Sequence, residues 1–71
     1  MPLRKRSLSI AGHRTSVALE AEFWTALEEI ARQRAISLSQ LVAEADEARE
    51  GSGLSSQLRL LALSHYQQTK P

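Results

Sequence analysis

From Glu20 onward, apolar residues recur at the spacing of a helix face. Phe23, Leu27, Ile30 and Ala31 fall at i, i+4, i+7 and i+8, with Trp24 beside them. Glu20 and Glu22 stand at the start of this stretch and Arg32 and Arg34 at its end, the distribution a helix dipole favours. The pattern predicts a helix over 21–34. Ser37 with Gln40 three residues later reads as a capping box. Leu38, Leu41, Val42 and Ala45 continue as a second stripe, which predicts a helix over 37–49. Glu50-Gly51-Ser52-Gly53 interrupts the pattern with two glycines. Leu54, Leu58, Leu61 and Ala62 form a third stripe with Tyr66 near its end, predicting a helix over 54–67 and a frayed polar tail after it. Leu60 and Leu63 are apolar residues beyond what that stripe needs.

Before residue 20 the period is two. The stretch His13-Arg14-Thr15-Ser16-Val17-Ala18-Leu19 alternates as a half-buried strand does. A lone strand leaves backbone N–H and C=O groups without ladder partners. Ser7-Leu8-Ser9-Ile10 alternates only weakly. Leu8 and Ile10 occupy even positions while Val17 and Leu19 occupy odd ones, so the two runs cannot share a face of one regular strand without a bend or bulge near Gly12. Residues 1–12 are therefore expected to form a flexible basic arm. The partner of strand 13–19 is expected in a second copy of the chain, as an antiparallel ribbon across a two-fold homodimer. In that arrangement Val17, Leu19, Phe23, Trp24, Leu27, Ile30, Leu41 and Val42 form the dimer core.

Composition narrows the remaining choices. Seventy-one residues make one small domain. Chains of this size commonly need a disulfide, a metal or oligomerisation to be stable. The chain has no cysteine, which excludes disulfides and thiolate metal sites and leaves oligomerisation. His13 and His65 are far apart with no paired ligand spacing, so no metal is expected. No apolar run approaches the roughly 20 residues of a membrane span. The basic start has no apolar segment of about 7–15 residues to serve as a secretory signal, and a cytoplasmic location is expected. The net charge of +1 hides an asymmetry: residues 1–19 carry +4, residues 20–50 carry −5 and residues 51–71 carry +2. A basic block on an acidic body suggests a polyanion partner at the basic end. No nucleophile is paired with a base, no glycine-rich phosphate loop is present and no carboxylate dyad stands out, so neither an enzyme nor a cofactor is expected.

Taken together, Arg14-Thr15-Ser16-Val17-Ala18-Leu19, then Phe23, Leu27 and Ile30-Ala31, then Ile36-Ser37-Leu38-Ser39-Gln40-Leu41-Val42, resemble the ribbon-helix-helix DNA-binding proteins. RKRSLSIAGHRTSVALEAEFW with a later LSSQLR is similar to a bacterial subfamily of short ribbon-helix-helix domain proteins. The core resemblance covers residues 13–49 and the narrower one nearly the whole chain. It implies a mainly α fold with one short N-terminal β-strand: a ribbon-helix-helix dimer with an intersubunit two-stranded antiparallel ribbon and an extra C-terminal helix.

By the same resemblance the protein is a transcriptional regulator, such as a repressor, whose ribbon enters the major groove of double-stranded DNA. That groove admits a two-stranded ribbon. With Val17 and Leu19 turned to the core, Arg14, Ser16 and Ala18 face the bases. Arginine can bond guanine in bidentate fashion and serine can bond either kind of base edge. Ala18 offers only apolar contact, a departure from the polar residue many relatives carry there. The family's phosphate contact at the start of the second helix falls here on Ser37, Leu38 and Ser39. Arg4, Lys5, Arg6 and His13 would add further phosphate contacts, and dimers could bind in pairs. The alternative is a protein–protein interaction module on the same fold, an antitoxin or an accessory subunit, with the surplus leucines of helix 54–67 docking a protein partner.

Overall fold

The computed structural model describes residues 2–49, 51 and 53–69. Two strands lead the chain, β1 over Leu3–Ile10 and β2 over His13–Glu20, and three helices follow: α1 over Ala21–Arg34, α2 over Leu38–Ala48 and α3 over Leu54–Thr69. The strands pair antiparallel, from Ile10 opposite His13 at the turn to Leu3 opposite Glu20 at the open end. Ala11 and Gly12 make the turn, with φ of 52° and 82°. Positive φ at both central residues is the signature of the type I′ turn, whose twist matches that of the flanking strands. Gly12 adopts it freely. Ala11 adopts it against the left-handed penalty of an L-residue, on the order of 1 kcal/mol.

This hairpin overturns one expectation and removes the reason given for another. Residues 3–10 are a strand and not a flexible arm, and β2 finds its ladder partner inside its own chain. A second copy is not needed to complete the ladder. The physical reason lies in the two-residue turn. Across such a turn, directly opposed residues always have one even and one odd number, as in Leu8 opposite Thr15 and Arg6 opposite Val17. Opposed residues share a face. The shift between even and odd apolar positions is therefore what a tight hairpin requires, with no bulge. Closing a loop this short also costs little chain entropy compared with recruiting a strand from solution.

Helix α1 ends where Ala35 turns left-handed (φ 58°) and Ile36 N–H returns to the Ala31 carbonyl at 3.0 Å, a Schellman-like stop. Two residues on, Ser37 caps α2: its Oγ accepts the Gln40 N–H at 3.0 Å. Predicted and observed helices agree within a residue or two at their ends, α3 reaching Thr69, while Glu50 and Ser52 of the glycine break and Lys70 and Pro71 of the tail lie outside the described residues.

One layer of helices covers one face of the hairpin. The core takes Ile10, Val17 and Leu19 from the hairpin, Trp24, Leu27, Ile30 and Ala31 from α1, Leu41, Val42 and Ala45 from α2, and Leu58 and Ala62 from α3. Seven of the eight residues expected in a dimer core are buried within the single chain, and Phe23 is half-buried. Helix α3 belongs to this core, since Leu58 is fully enclosed. It is tied to the strand–helix junction by Arg59, which donates twice to Glu20 Oε1 at 3.0 and 3.1 Å and lies over the Phe23 ring.

Candidate nucleic-acid interface

Because side chains alternate across a strand, the register divides the hairpin into an inner and an outer face. Leu8, Ile10, Val17 and Leu19 turn inward with Arg4, Arg6, His13 and Thr15. Leu3, Lys5, Ser7 and Ser9 of β1 turn outward with Arg14, Ser16, Ala18 and Glu20 of β2. On this outer face Lys5, Ser7, Ser9, Arg14 and Ser16 are exposed and Ala18 is half-buried. At its centre Ser7 stands opposite Ser16 with their hydroxyl oxygens 3.5 Å apart, at the limit of a hydrogen bond. Both hydroxyls therefore keep most of their bonding capacity.

The cations fall into two groups. Five arginines are paired with carboxylates: Arg6 with Glu28, Arg32 with Glu29, Arg34 with Glu44, Arg49 with Asp46 and Arg59 with Glu20. A backbone hydrogen bond at Glu20, reinforced by Arg59, holds that carboxyl below the usual carboxylate range. Hydrogen bonds from Arg32 and Gln33 do the same for Glu29, and Glu29 in turn raises the Arg32 guanidinium. Arg4, Lys5 and Arg14 form no ion pair among the described residues. All three lie on the hairpin, and two of them are on its outer face. The acidic body neutralises its own arginines, and the uncompensated positive charge of the described residues gathers on the ribbon.

The sequence-predicted residues are distributed accordingly. Arg14, Ser16 and Ala18 share the outer face as expected. The basic run Arg4-Lys5-Arg6 is split by the strand's alternation. Lys5 points out with Arg14, while Arg6 points in, where it meets Glu28 at 3.1 Å and stacks 4.9 Å from the centroid of the Trp24 ring. Arg6 is thus a structural cation. Trp24, 2% exposed, donates its indole N–H to the Arg4 carbonyl at 2.8 Å, so a side chain of α1 pins the backbone of β1.

His13 is exposed at the hairpin tip, in an open hollow shared with Asp46 of α2 and with Arg49, the residue that ends that helix. That hollow lies at the C-terminal end of α2. Ser37, Leu38 and Ser39 sit at the other end, about 16 Å away along an 11-residue helix. The hairpin tip and the α2 N-terminus are therefore separate places on the molecule. Ser7 and Ser9, expected within a flexible arm, join the outer face instead. Their signal was the alternation of SLSI together with the parity shift across Ala11-Gly12. Among the described residues no group of three or more His, Cys, Asp or Glu could hold a metal, and no helix is long and apolar enough to cross a membrane.

Comparison with known proteins agrees with this architecture. No curated protein matches the chain. Among solved structures it is similar to an uncharacterized protein from Bordetella pertussis Tohama I, at 38% identity and a TM-score of 0.77, over 93% of this chain and 56% of that one. The chain thus spans a little over half the length of that relative. A model of the ribbon-helix-helix domain matches residues 3–66, which takes in both strands and nearly all of α3. The chain belongs to the ribbon-helix-helix domain family, whose members typically dimerise and bind DNA.

Proposed function

We propose that the protein is a sequence-specific DNA-binding protein, a bacterial transcriptional regulator of the repressor kind. It acts as a homodimer in the cytoplasm, and it is a binding protein and not an enzyme. One observation carries this reading: the unpaired cations of the described residues all stand on an exposed, serine-lined hairpin. A two-stranded ribbon fits the major groove, about 12 Å wide. Arg14 supplies the bidentate contact to guanine, Ser16 bonds a base edge and Ala18 offers its methyl to thymine. Lys5 and Arg4 contact phosphates, which add affinity without sequence preference. Ser37, Leu38 and Ser39 offer the α2 N-terminus to a phosphate.

The test is selection of bound DNA from a random duplex pool at fixed, near-physiological salt, with wild type and an Arg14→Ala/Ser16→Ala variant in parallel. A short motif is expected with wild type and lost with the variant. Arg14→Ala alone is expected to cost about 1–3 kcal/mol of discrimination. Lys5→Ala is expected to weaken all sequences alike and lower the salt slope by about one. A motif unchanged by Arg14→Ala would refute the assignment of the reading face.

A second reading keeps one specific observation on its side. Leu60, Leu63 and Tyr66 of α3 stand 59%, 49% and 67% exposed, an apolar stripe outside the core. An interaction module, such as an antitoxin or an accessory subunit, would use such a stripe. Absence of any enriched motif with wild-type protein would favour it.

A further inference from the structure

We infer that Arg59 of α3 is a positioning residue for DNA binding: by holding the Glu20 carboxylate it neutralises the one acid of the hairpin and leaves Lys5 to the phosphate backbone. This rests on the DNA-binding reading above and gives α3 a part in it. The first support is placement. Glu20 is the only Asp or Glu among the residues of the two strands, and the register puts it on the outer face with Lys5, Arg14 and Ser16. It follows Ala18 by two residues, about 7 Å along an extended strand, within the screening length of about 8 Å at physiological salt. A bare carboxylate there would repel the phosphates that the same face is to approach.

The second support is the neighbour that Glu20 does not take. Lys5 stands opposite Ala18 and Leu3 opposite Glu20. Lys5 and Glu20 are therefore diagonal neighbours, about 7–8 Å apart and within reach of a long side chain. Lys5 nevertheless forms no ion pair among the described residues, and the carboxylate is held by Arg59 instead.

The third is the geometry of that hold. Arg59 Nε and Nη2 both donate to Glu20 Oε1, at 3.1 and 3.0 Å, and the guanidinium lies over the Phe23 ring, 5.7 Å from its centroid. Two donors and an aromatic face fix its direction toward the carboxylate. The first turn of α1 adds only a further acid, Glu22, and the cation comes from 39 residues along the chain. The other four ion pairs of the described residues join residues 22 or fewer apart. A backbone hydrogen bond and Arg59 keep the Glu20 carboxyl below the usual carboxylate range, so it is ionised at neutral pH and its charge is cancelled only by a cation.

The experiment titrates a labelled random-sequence duplex with the full chain across a range of salt, for wild type, Arg59→Gln, Glu20→Gln, the double variant and Arg59→Lys. A urea midpoint is recorded for each. Arg59→Gln, which leaves the carboxylate uncompensated, should weaken duplex binding roughly 3- to 10-fold and lower the salt slope by about one. Glu20→Gln should bind at least as tightly as wild type. The double variant, neutral at both positions, should return to within about 2-fold of wild type. Arg59→Lys keeps the charge and loses the fork, and should hold the wild-type affinity even where its urea midpoint falls. An Arg59→Gln variant that binds like wild type overturns the proposal. So does a double variant as weak as Arg59→Gln, which would make Arg59 itself a phosphate contact. Affinity that follows the urea midpoint in every variant, Arg59→Lys included, overturns it as well, because the pair would then be structural only. If wild-type protein shows no salt-dependent duplex binding, the DNA-binding reading falls and this inference with it.

Discussion

The two faces of the hairpin take alternate residues of the same two strands, eight to a face, yet they do opposite things. On the inner face the apolar side chains and Arg6 have fixed partners, while the Arg4 and His13 side chains stay exposed near its two ends. Ile10, Val17 and Leu19 are enclosed by the helices, Arg6 is held between Glu28 and the Trp24 ring, and the Arg4 carbonyl accepts the indole N–H. On the outer face Lys5, Ser9 and Arg14 have no side-chain partner among the described residues, and Ser7 and Ser16 share a contact at the limit of bonding. A fold of this size consumes one face to exist. The polar groups it leaves unsatisfied on the other are the ones available to a ligand. The helices make the same point in reverse, since their arginines are paired with local carboxylates and add little long-range field.

Substitutions on the two faces should separate sharply. The largest effect is expected on the inner face. Trp24→Ala removes a buried ring and leaves the Arg4 carbonyl without its donor, and should cost about 3–5 kcal/mol, read as a lower urea midpoint. Ser16→Ala, across the sheet, should stay within about 0.5 kcal/mol of wild type. A comparable loss from both would show that the faces are not energetically distinct. A gain of roughly 1 kcal/mol is expected from Ala11→Gly, which relieves the left-handed alanine and completes a better type I′ turn. An unchanged or lower melting temperature would mean that the added backbone freedom of glycine outweighs the relief.

The smallest effect concerns the tie between α3 and the strand–helix junction. The Glu20 carboxyl titrates below its usual range when folded, so its contribution is present above about pH 4.5 and is lost as pH falls through the lowered value. Glu20→Gln should therefore flatten the acid side of a plot of melting temperature against pH slightly, leaving the part due to Glu29. No change in slope would place the Glu20–Arg59 contact outside the stability of the fold.

The three helices are legible in the sequence because a 3.6-residue apolar period extended over three or four turns is a local signal. The Ser37 cap is local as well, and the structure places its oxygen where the Ser-x-x-Gln spacing suggests. The outward placement of Arg14 and Ser16 follows by alternation once Val17 and Leu19 face the core. What the pattern could not say was who buries them. A stripe marks a face as covered without identifying the cover, and the residues expected in a dimer core close on one another and on α3.

The hairpin was hidden for two reasons. Ala-Gly is a weak turn signal beside Asn-Gly or Asp-Gly, and the basic residues ahead of β2's apolar run read as a tail. Alternation then divided those charges in a way that a count of basic residues cannot show, sending Lys5 to one side and Arg6 to the other.

Trp24 has one more consequence. It is the only tryptophan of the chain, and it sits where β1 rests on α1, under a guanidinium and bonded to the carbonyl next to Lys5. The protein therefore carries its own optical reporter. Indole emission follows the seating of the first strand without any label, and a ligand that draws the neighbouring lysine toward it will register as a change in colour or intensity, so that binding can be titrated on the unmodified chain.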